Sequence, residues 1–195
     1  LGDLEAAALA EEDVRGIIVT GGDRHFSAGA DVNIFKEIAS ANDAIRTSRI
    51  FQEAFDAVEN SQKPCAVAMA GDVIGGALEL AMACHFRVCA GGTQFSSPEV
   101  KLGINPGVGG TQRLPRLIGV EAALRMLLTA HRISADDALG LGLVDRVCEA
   151  DELIATAREL LESGERPTAS SRRADKIRDA GVNKEAFEQA QKLIE

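Results

Sequence analysis

The sequence predicts an α/β fold with helices layered around a sheet core. Two observations predict it. Short runs of β-branched or small apolar residues end at glycines, which is typical of buried strands that run into tight loops. The order strand, helix, strand then recurs along the chain. With 195 residues, 46% hydrophobic and 26% charged, the chain is long enough to bury a core, and its composition excludes a disordered or collagen-like protein.

The first part of the chain contains two predicted strands and two predicted helices. Residues 14–20 form a β-branched run before a glycine loop, and a helix follows around residues 31–38. Apolar residues recur at helical spacing over 43–59. Pro64 then opens a second buried strand over 65–70.

The middle of the chain repeats the pattern with a more apolar helix. After a loop over 71–74, residues 75–84 form a helix that is apolar on nearly all sides, and residues 86–90 form the next strand. From about Val120 onward the sequence is mainly helical, with a late strand over 143–147.

The C-terminal part is helical with one polar interruption. Ser134 has the residue type and the position of a helix N-cap. From Ser163 the composition becomes polar and arginine-rich, which predicts a linker or surface segment before a last helix over 184–195. We therefore divide the chain into a core domain over 1–150 and a helical C-terminal segment over 151–195.

The charge balance excludes one broad class of partner. The chain has 21 basic and 30 acidic residues, a net charge of −9, and neither Trp nor Tyr for base stacking, so a nucleic-acid partner is excluded. The first residues lack a basic segment followed by an apolar one, and no 18 apolar residues run together. We expect no membrane partner and a cytoplasmic location.

The four cysteines do not form a metal-binding pattern. Cys65, Cys84, Cys89 and Cys148 have no CxxC spacing and no clustered histidines, so we expect buried reduced thiols and no metal site. Nucleotide motifs are missing as well. The glycine cluster that begins at Gly107 continues without the lysine or the third glycine of the two common phosphate-binding loops.

Glu79 is the first candidate for chemistry. It is the only ionisable residue between Val73 and Cys84. Burying a carboxylate without a partner costs on the order of several kcal/mol in folding free energy, because the charge loses its hydration and its hydrogen bonds to water. Such a cost suggests a functional use. The alternative is a structural carboxylate bonded to a backbone amide or to an arginine such as Arg87.

Glu99 and two glycine turns complete the set of candidates. Taken alone, Glu99 is an ordinary first-turn acid after Ser97 and Pro98. Adjacent parallel strands would bring it to one cleft with Glu79, where the pair would serve as general acid and base. The turns at 27–31 and 74–77 leave backbone amides free to bind an anion, or they only permit close packing.

These residues resemble those of a known family. The blocks Phe26-Ser27-Ala28-Gly29-Ala30-Asp31, Gly75-Gly76-Ala77-Leu78-Glu79 and Ser97-Pro98-Glu99, with the following Pro106-Gly107-Val108-Gly109-Gly110-Thr111-Gln112-Arg113, closely resemble the enoyl-CoA hydratase/isomerase (crotonase) family. They occur in the order and spacing of that family over about residues 14–148. The resemblance implies a crotonase-like spiral of ββα units with a helical C-terminal region.

The resemblance implies an enoyl-CoA hydratase and a role for each residue. The amides of Ala30 and Gly76 would bind the thioester oxygen, Glu79 would deprotonate the water, and Glu99 would deliver the C2 proton. Water would add at C3 of a 2-enoyl-CoA. Glutamates at both 79 and 99 are typical of the hydratases, and their roles remain provisional because the pair would titrate as a unit.

The resemblance also implies where the substrate binds. Ser27, Ala28 and Asp31 belong to the loop against which coenzyme A would rest, and Arg24 is a candidate partner for its phosphates. Gly107 would lie close to the acyl group or the water. Coenzyme A would enter as part of the thioester, so no separate cofactor is implied.

Two alternatives to the hydratase remain open. A Δ3-Δ2-enoyl-CoA isomerase would use the same amides, and a non-catalytic acyl-CoA-binding protein would keep the fold without turnover. The opening strands of the family are missing, and the tail after Ser163 resembles multifunctional β-oxidation proteins more than single-function enzymes. A fragment is therefore one interpretation, and a homotrimer or a dimer of trimers is the expected assembly.

Overall fold

The computed structural model describes residues 11–21, 25–31, Asn33, 38–165 and 167–194. In chain order, the strands of these residues are β1 (Ile17–Thr20), β2 (Cys65–Met69), β3 (Asp72–Ile74), β4 (Phe86–Ala90), β5 (Gln94–Ser96), β6 (Ile133–Ser134) and β7 (Arg146–Cys148). The α-helices are α1 (Ala41–Glu59), α2 (Gly76–Ala83), α3 (Gly110–Ile118), α4 (Val120–Thr129), α5 (Ala135–Leu141), α6 (Leu153–Glu162) and α7 (Ala180–Ile194). Short 3-10 turns lie at Pro98–Leu102, Ala150–Glu152 and Ser170–Arg172.

The main sheet is parallel and contains four strands in the order β1, β2, β4, β7. Its two inner strands are β2 and β4, and all five residues of each are buried. Ala66 and Ala68 contact the core cluster that includes Leu153, Ala157 and Leu160 of α6. Cys65, Val67 and Met69 point to the opposite face and join the cluster that includes Leu78 and Met82 of α2. Because successive side chains of a strand alternate between faces, the sheet is covered by helices on both sides.

A second sheet sits at the end of the first and places the loops of the candidate site. Its strands are β3, β5 and β6, with β3 parallel to β5 and β5 antiparallel to β6. Ser27 forms a parallel bridge with Val73, so the loop over 25–31 lies directly beside β3. The chain leaves β3 into α2, and it leaves β5 into the turn at Pro98–Leu102.

Most predicted elements are present with small changes of boundary. The strand predicted over 14–20 is Ile17–Thr20, that over 65–70 is Cys65–Met69, and that over 86–90 matches β4. Helix α1 covers the predicted 43–59, and α2 covers most of the predicted 75–84. Ser134 accepts a hydrogen bond from the amide of Asp137, as predicted for an N-cap. The helix expected over 31–38 lies almost wholly outside the described residues.

Three sequence predictions of secondary structure need correction. The expected loop over 71–74 contains β3, whose three residues are too few to show a period. The late strand is Arg146–Cys148 and not 143–147, because the amides of Leu143 and Val144 donate to Ala138 O at the end of α5 and are unavailable to a sheet.

The last helix starts four residues earlier than expected. It spans Ala180–Ile194, because the side chain of Asp179 accepts hydrogen bonds from the amides of Gly181 and Val182 and so caps the first turn. Three cysteines are buried and free, as predicted, but Cys148 at the sheet edge is half-buried. Within the described part of the chain, no helix has the length and apolar character needed to cross a membrane.

Candidate active site

The first half of the site is a pair of neighbouring backbone amides. A Cβ atom added to Gly76 would lie 3.7 Å from the nitrogen of Ala30, and one added to Gly29 would lie 3.4 Å from the nitrogen of Gly76. Among the described residues, the amides of Ala30 and Gly76 donate to no acceptor. The structure therefore places two N–H donors from separate segments close together, and neither has an acceptor among the described residues.

Gly29 makes this close approach possible. Its φ is +95°, a conformation that residues with a side chain rarely adopt, and a Cβ there would lie 2.7 Å from the carbonyl oxygen of Ile74. The hydroxyl of Ser27 accepts a hydrogen bond from the amide of Gly29 at 3.2 Å, which holds the turn. The contact that brings the two amides together thus requires glycine at position 29.

The second half of the site consists of the two glutamates. Glu79 lies in the first turn of α2 after β3, and Glu99 lies in the short turn after β5. Because β3 and β5 are parallel neighbours, with Ile74 opposite Ser96, both acidic residues leave the sheet at the same edge. A Cβ on Gly75 would lie 3.1 Å from Oε1 of Glu99, so that carboxylate faces the turn that carries the Gly76 amide.

The carboxylate of Glu79 is buried and is held by the backbone. Its exposed fraction is 2%, and its Oε1 accepts hydrogen bonds from the amides of Val108 at 2.8 Å and Gly110 at 2.7 Å. Burial raises its pKa above the ordinary value, while these two bonds and the charge of Arg113 oppose the rise. The two donors on this one oxygen favour the ionised form and so act against the effect of burial.

The surroundings of Glu99 stabilise an ionised carboxylate less than those of Glu79 do. Its Oε2 is buried and has no hydrogen-bond partner among the described residues. Burial raises its pKa, and the negative charge of Glu79 raises the pKa further. The two carboxyl groups are therefore electrostatically coupled, and Glu99 is the one with less stabilisation of its charge.

The alternative partner for Glu79 considered from the sequence is only half correct. Within the described residues, Arg87 forms no hydrogen bond or ion pair with Glu79. The Arg87 guanidinium bonds the carbonyl oxygens of Cys84 and Leu143 and pairs with Asp145 at 3.2 Å. The backbone amides that do bond Glu79 come from a loop about 30 positions further along the chain, at Val108 and Gly110.

The residues predicted to bind substrate lie in different settings. Ala28 is exposed on the loop before the Ala30 amide. The Asp31 carboxylate is turned toward Asn33, from which it accepts two hydrogen bonds. Gly107 is exposed, and its carbonyl accepts a hydrogen bond from Gln52 Nε2 at 2.6 Å beside a cavity of about 720 Å³. Arg24 lies outside the described residues.

Arg113 was not identified from the sequence as a residue of the site. Arg113 is 2% exposed, and it contacts the loop that bonds Glu79. The signal was present, because the buried positions of α3 are 110, 113, 114, 117 and 118, and Arg113 falls within this helical stripe. A charged residue in an apolar stripe indicates a paired, buried role.

Comparison with known proteins identifies the class. Residues 4–193 match the family described as Enoyl-CoA hydratase/isomerase, so the chain belongs to that family. The crystal structure of an enoyl-CoA hydratase from Bacillus anthracis has a TM-score of 0.75 and 31% identity to this chain, and the match covers 97% of this chain and 76% of that one. The predicted crotonase-like fold is confirmed.

Two relatives show how much of a longer protein the chain resembles. It is 44% identical over 145 residues to the crotonyl-CoA hydratase of Syntrophomonas wolfei, which covers 74% of this chain and 55% of that protein. It is 39% identical over 196 residues to a peroxisomal fatty acid beta-oxidation multifunctional protein of Arabidopsis thaliana, which covers 95% of this chain and 27% of the relative. The chain thus spans about half of the first relative and about a quarter of the second.

Proposed function

We propose that this chain carries enoyl-CoA hydratase activity and adds water across the C2–C3 double bond of a 2-enoyl-CoA. The observation that carries the proposal is the meeting of two free amides, at Ala30 and Gly76, with two coupled carboxyl groups, at Glu79 and Glu99. Family membership and the likeness to crotonyl-CoA hydratase support it.

The two amides would act as an oxyanion hole. A thioester carbonyl bound to the amides of Ala30 and Gly76 is polarised, which makes C3 electrophilic. As water adds, negative charge develops on the carbonyl oxygen, and both N–H groups stabilise it. A fixed pair of donors needs no reorganisation during the reaction, so the stabilisation is greatest in the transition state.

The two glutamates would divide the proton transfers. Glu79 has two amide donors and a nearby positive charge that favour its ionised form, so it suits the base that takes a proton from water. Glu99 lacks a partner on Oε2 and sits beside the charge of Glu79, so it suits the protonated acid that supplies C2. Hydroxide adds at C3 and the proton at C2, and proton exchange with solvent resets the pair.

Substrate, assembly and location belong to the same proposal. Coenzyme A enters as part of the thioester, with the exposed loop that contains Ser27 and Ala28 beside it, and no separate cofactor takes part. A homotrimer or a dimer of trimers and a cytoplasmic location are the expectations from the sequence. The name of the Arabidopsis relative refers instead to peroxisomes, so locating the full protein in cells distinguishes these compartments.

The test is hydration kinetics with single amide-for-acid variants. We expect Glu79→Gln and Glu99→Gln each to lower kcat by about 100-fold or more, because each removes a positioned proton-transfer group. The affinity for an acyl-CoA should change little. The measurement is the loss of conjugated-thioester absorbance with 2-enoyl-CoAs from crotonyl-CoA to long chains, together with acyl-CoA titration.

The matched control is Glu53→Gln, which changes an exposed glutamate of α1. It should keep the wild-type rate. Equal losses of affinity and rate in the Glu79 and Glu99 variants would assign the pair a structural role. Conversion of a 3-enoyl-CoA without hydration would identify an isomerase, and binding of acyl-CoA without any turnover would identify a binding protein.

A further inference from the structure

A buried arginine connects the site to the rest of the molecule. Arg113 lies on α3, and its guanidinium makes three hydrogen bonds. Nη1 donates to the carbonyl oxygen of Val108 at 3.0 Å, and Nη2 donates to Asp56 at 2.7 Å and to Glu59 at 3.1 Å. A buried cation is stable only with such partners, so its position is fixed by groups from α1 and from the loop before α3.

The loop that Arg113 holds is the loop that bonds Glu79. Val108 accepts from Arg113 through its carbonyl and donates to Glu79 Oε1 through its amide. Gly109, the next residue, has a φ of +112°, and a Cβ there would lie 1.9 Å from Nη1 of Arg113. The guanidinium therefore packs against the backbone of Gly109, which lies between the two residues whose amides donate to Glu79.

The C-terminal tail fixes the other side of the arginine. Glu59 is 6% exposed and uses its two oxygens on two elements, Oε2 for Arg113 and Oε1 for the amide of Ser171 at 2.9 Å. Arg172, the next residue of the tail, bonds the side chain of Asn60. Burial raises the pKa of Glu59, but the bonds from Arg113 and Ser171 outweigh burial and hold the pKa below its ordinary value.

We propose that Arg113 is a positioning residue for Glu79, and that the series Ser171, Glu59, Arg113 and Val108 makes the tail segment Ser170–Arg172 part of the support of the site. The proposal rests on the proposed function only for its kinetic consequence. Among the described residues, Arg113 forms no hydrogen bond or ion pair with Glu79 or with the two amides, so its positioning effect passes through the Val108–Gly110 backbone.

The experiment compares Arg113→Met and Arg113→Lys with Arg116→Met. Arg116 lies on the same helix, and its hydrogen bonds within the described part of the chain go to the carbonyl and side chain of Gln112, so its variant is the matched control. We expect Arg113→Met to lower kcat for crotonyl-CoA by about 10- to 100-fold, as a displaced catalytic group does, with KM changed by less than about threefold. Arg113→Lys keeps the charge but cannot reach three acceptors, so it should recover part of kcat.

The pH profile separates positioning from loss of fold. The charge of Arg113 lowers the pKa of Glu79, so its removal should move the acid limb of kcat to higher pH in Arg113→Met and much less in Arg113→Lys. Amide hydrogen exchange of Val108 and Gly110 should become faster in Arg113→Met without substrate. An unchanged kcat, acid limb and exchange rate in that variant would overturn the proposal.

Two further variants test the proposal if Arg113→Met fails to fold, which a non-cooperative thermal melt would show. Glu59→Gln keeps the shape of the side chain, and the double variant Arg113→Met/Glu59→Gln leaves no buried charge alone. Both should still show faster exchange at Val108 and Gly110, and normal exchange there would overturn the proposal. If the wild-type chain hydrates no enoyl-CoA but the exchange result holds, the proposed function fails and the positioning role of Arg113 stands.

Discussion

At the scale of single residues, the two glutamates of the site reduce the stability of the fold that carries them. Burial raises the pKa of both Glu79 and Glu99. A carboxyl whose pKa is higher in the folded than in the unfolded state contributes its full stability below the unfolded pKa and loses it as pH rises through the folded pKa. Near neutral pH, each group therefore opposes folding, either as a buried charge or because folding makes it take up a proton.

Removing the charge at Glu99 should stabilise the protein. We expect Glu99→Gln to raise the free energy of unfolding at pH 7 by about 1 kcal/mol, the low end for a buried polar group without a partner. This corresponds to about 2–4 °C in Tm for a chain of this size. The gain should shrink as pH falls below the ordinary pKa of glutamate, and thermal melts at several pH values measure it.

The exposed Glu53 again provides the control for this stability effect. Glu53→Gln should leave Tm unchanged at each pH. A Tm difference for Glu99→Gln that grows toward acid pH would contradict the sign derived from the raised pKa. The variant combines higher stability with lower activity, a pairing that is common where a site requires a strained group.

The sequence singled out the two glutamates of the candidate site, but it gave no indication of which groups hold them. Glu79 stood out because an apolar helix left it no local partner, and Glu99 because it follows the neighbouring strand. The hydrogen-bond donors of Glu79 are the amides of Val108 and Gly110, which lie in a loop distant in sequence. Every residue except proline has a backbone amide, so the residue types do not show which amides will bond Glu79. Long-range backbone contacts of this kind are set by the packed fold.

At the scale of elements, the start of α3 is fitted closely to the site. A Cβ on Gly110 would lie 2.9 Å from Cβ of Pro106 and 3.0 Å from Oε1 of Glu79. The helix therefore begins at a residue without a side chain, and its first amide reaches Glu79 directly. The position is glycine because of this close approach, since no positive φ is required there.

Gly110→Ala should damage the site and the fold together. We expect a loss of stability of about 1–3 kcal/mol from overpacking and a large fall in kcat as Glu79 is displaced. The matched variant is Gly140→Ala in α5, where no described atom other than the neighbouring helix backbone lies within 4 Å of the new Cβ. That change should stabilise by up to about 1 kcal/mol, because alanine favours helix over glycine.

Urea unfolding and initial hydration rates of both glycine variants check this prediction. Equal kinetics for Gly110→Ala and Gly140→Ala would show that the space around Gly110 is not needed by the site. The two substitutions are chemically the same and both lie in helices, so their difference reports the environment alone.

Elements with a strong period were predicted well, and short ones were not. Helix α1 and the buried strands β2 and β4 have enough residues to show a pattern. Strands β3 and β5 have three residues each, and they exist because they pair with each other and with the loop at Ser27. Tertiary pairing decides the structure of such short segments.

At the scale of the whole molecule, the polar segment that follows Ser163 is hydrogen-bonded to the ends of two helices. Lys176 Nζ donates to the carbonyl oxygen of Leu117 at 2.6 Å and to that of Leu141. These carbonyls lie at the C-terminal ends of α3 and α5, where acceptors lack a helical partner and a cation is favourable. The segment was predicted as a surface segment or linker, and its attachment through one lysine is not visible in its composition.

Lys176→Met should loosen this attachment. We expect a loss of about 1–2 kcal/mol in the free energy of unfolding, because two hydrogen bonds of ordinary strength are lost and Lys176 is itself exposed. The control is Lys184→Met on α7, which removes only an exposed pair with Glu188 at 3.8 Å and should change stability by less than about 1 kcal/mol. Urea unfolding of both variants, followed by circular dichroism, measures the difference.

The result also tests the division of the chain at residue 150. A single sharp transition with a lower midpoint in Lys176→Met would show that residues 151–194 unfold together with the core. Two separated transitions would show an independent C-terminal unit. The packing of Leu153, Ala157 and Leu160 against the central strand favours the first result.

The bridge between Ser27 and Val73 has a consequence for how the protein acquires its activity. The two amide donors belong to segments that are distant along the chain, and this bridge holds them side by side. Closing so long a loop is entropically unfavourable and is among the slow events of folding. During refolding, the proposed hydration activity should therefore return only after this pairing has formed, because a half-folded chain, even one rich in helix, lacks the paired amides.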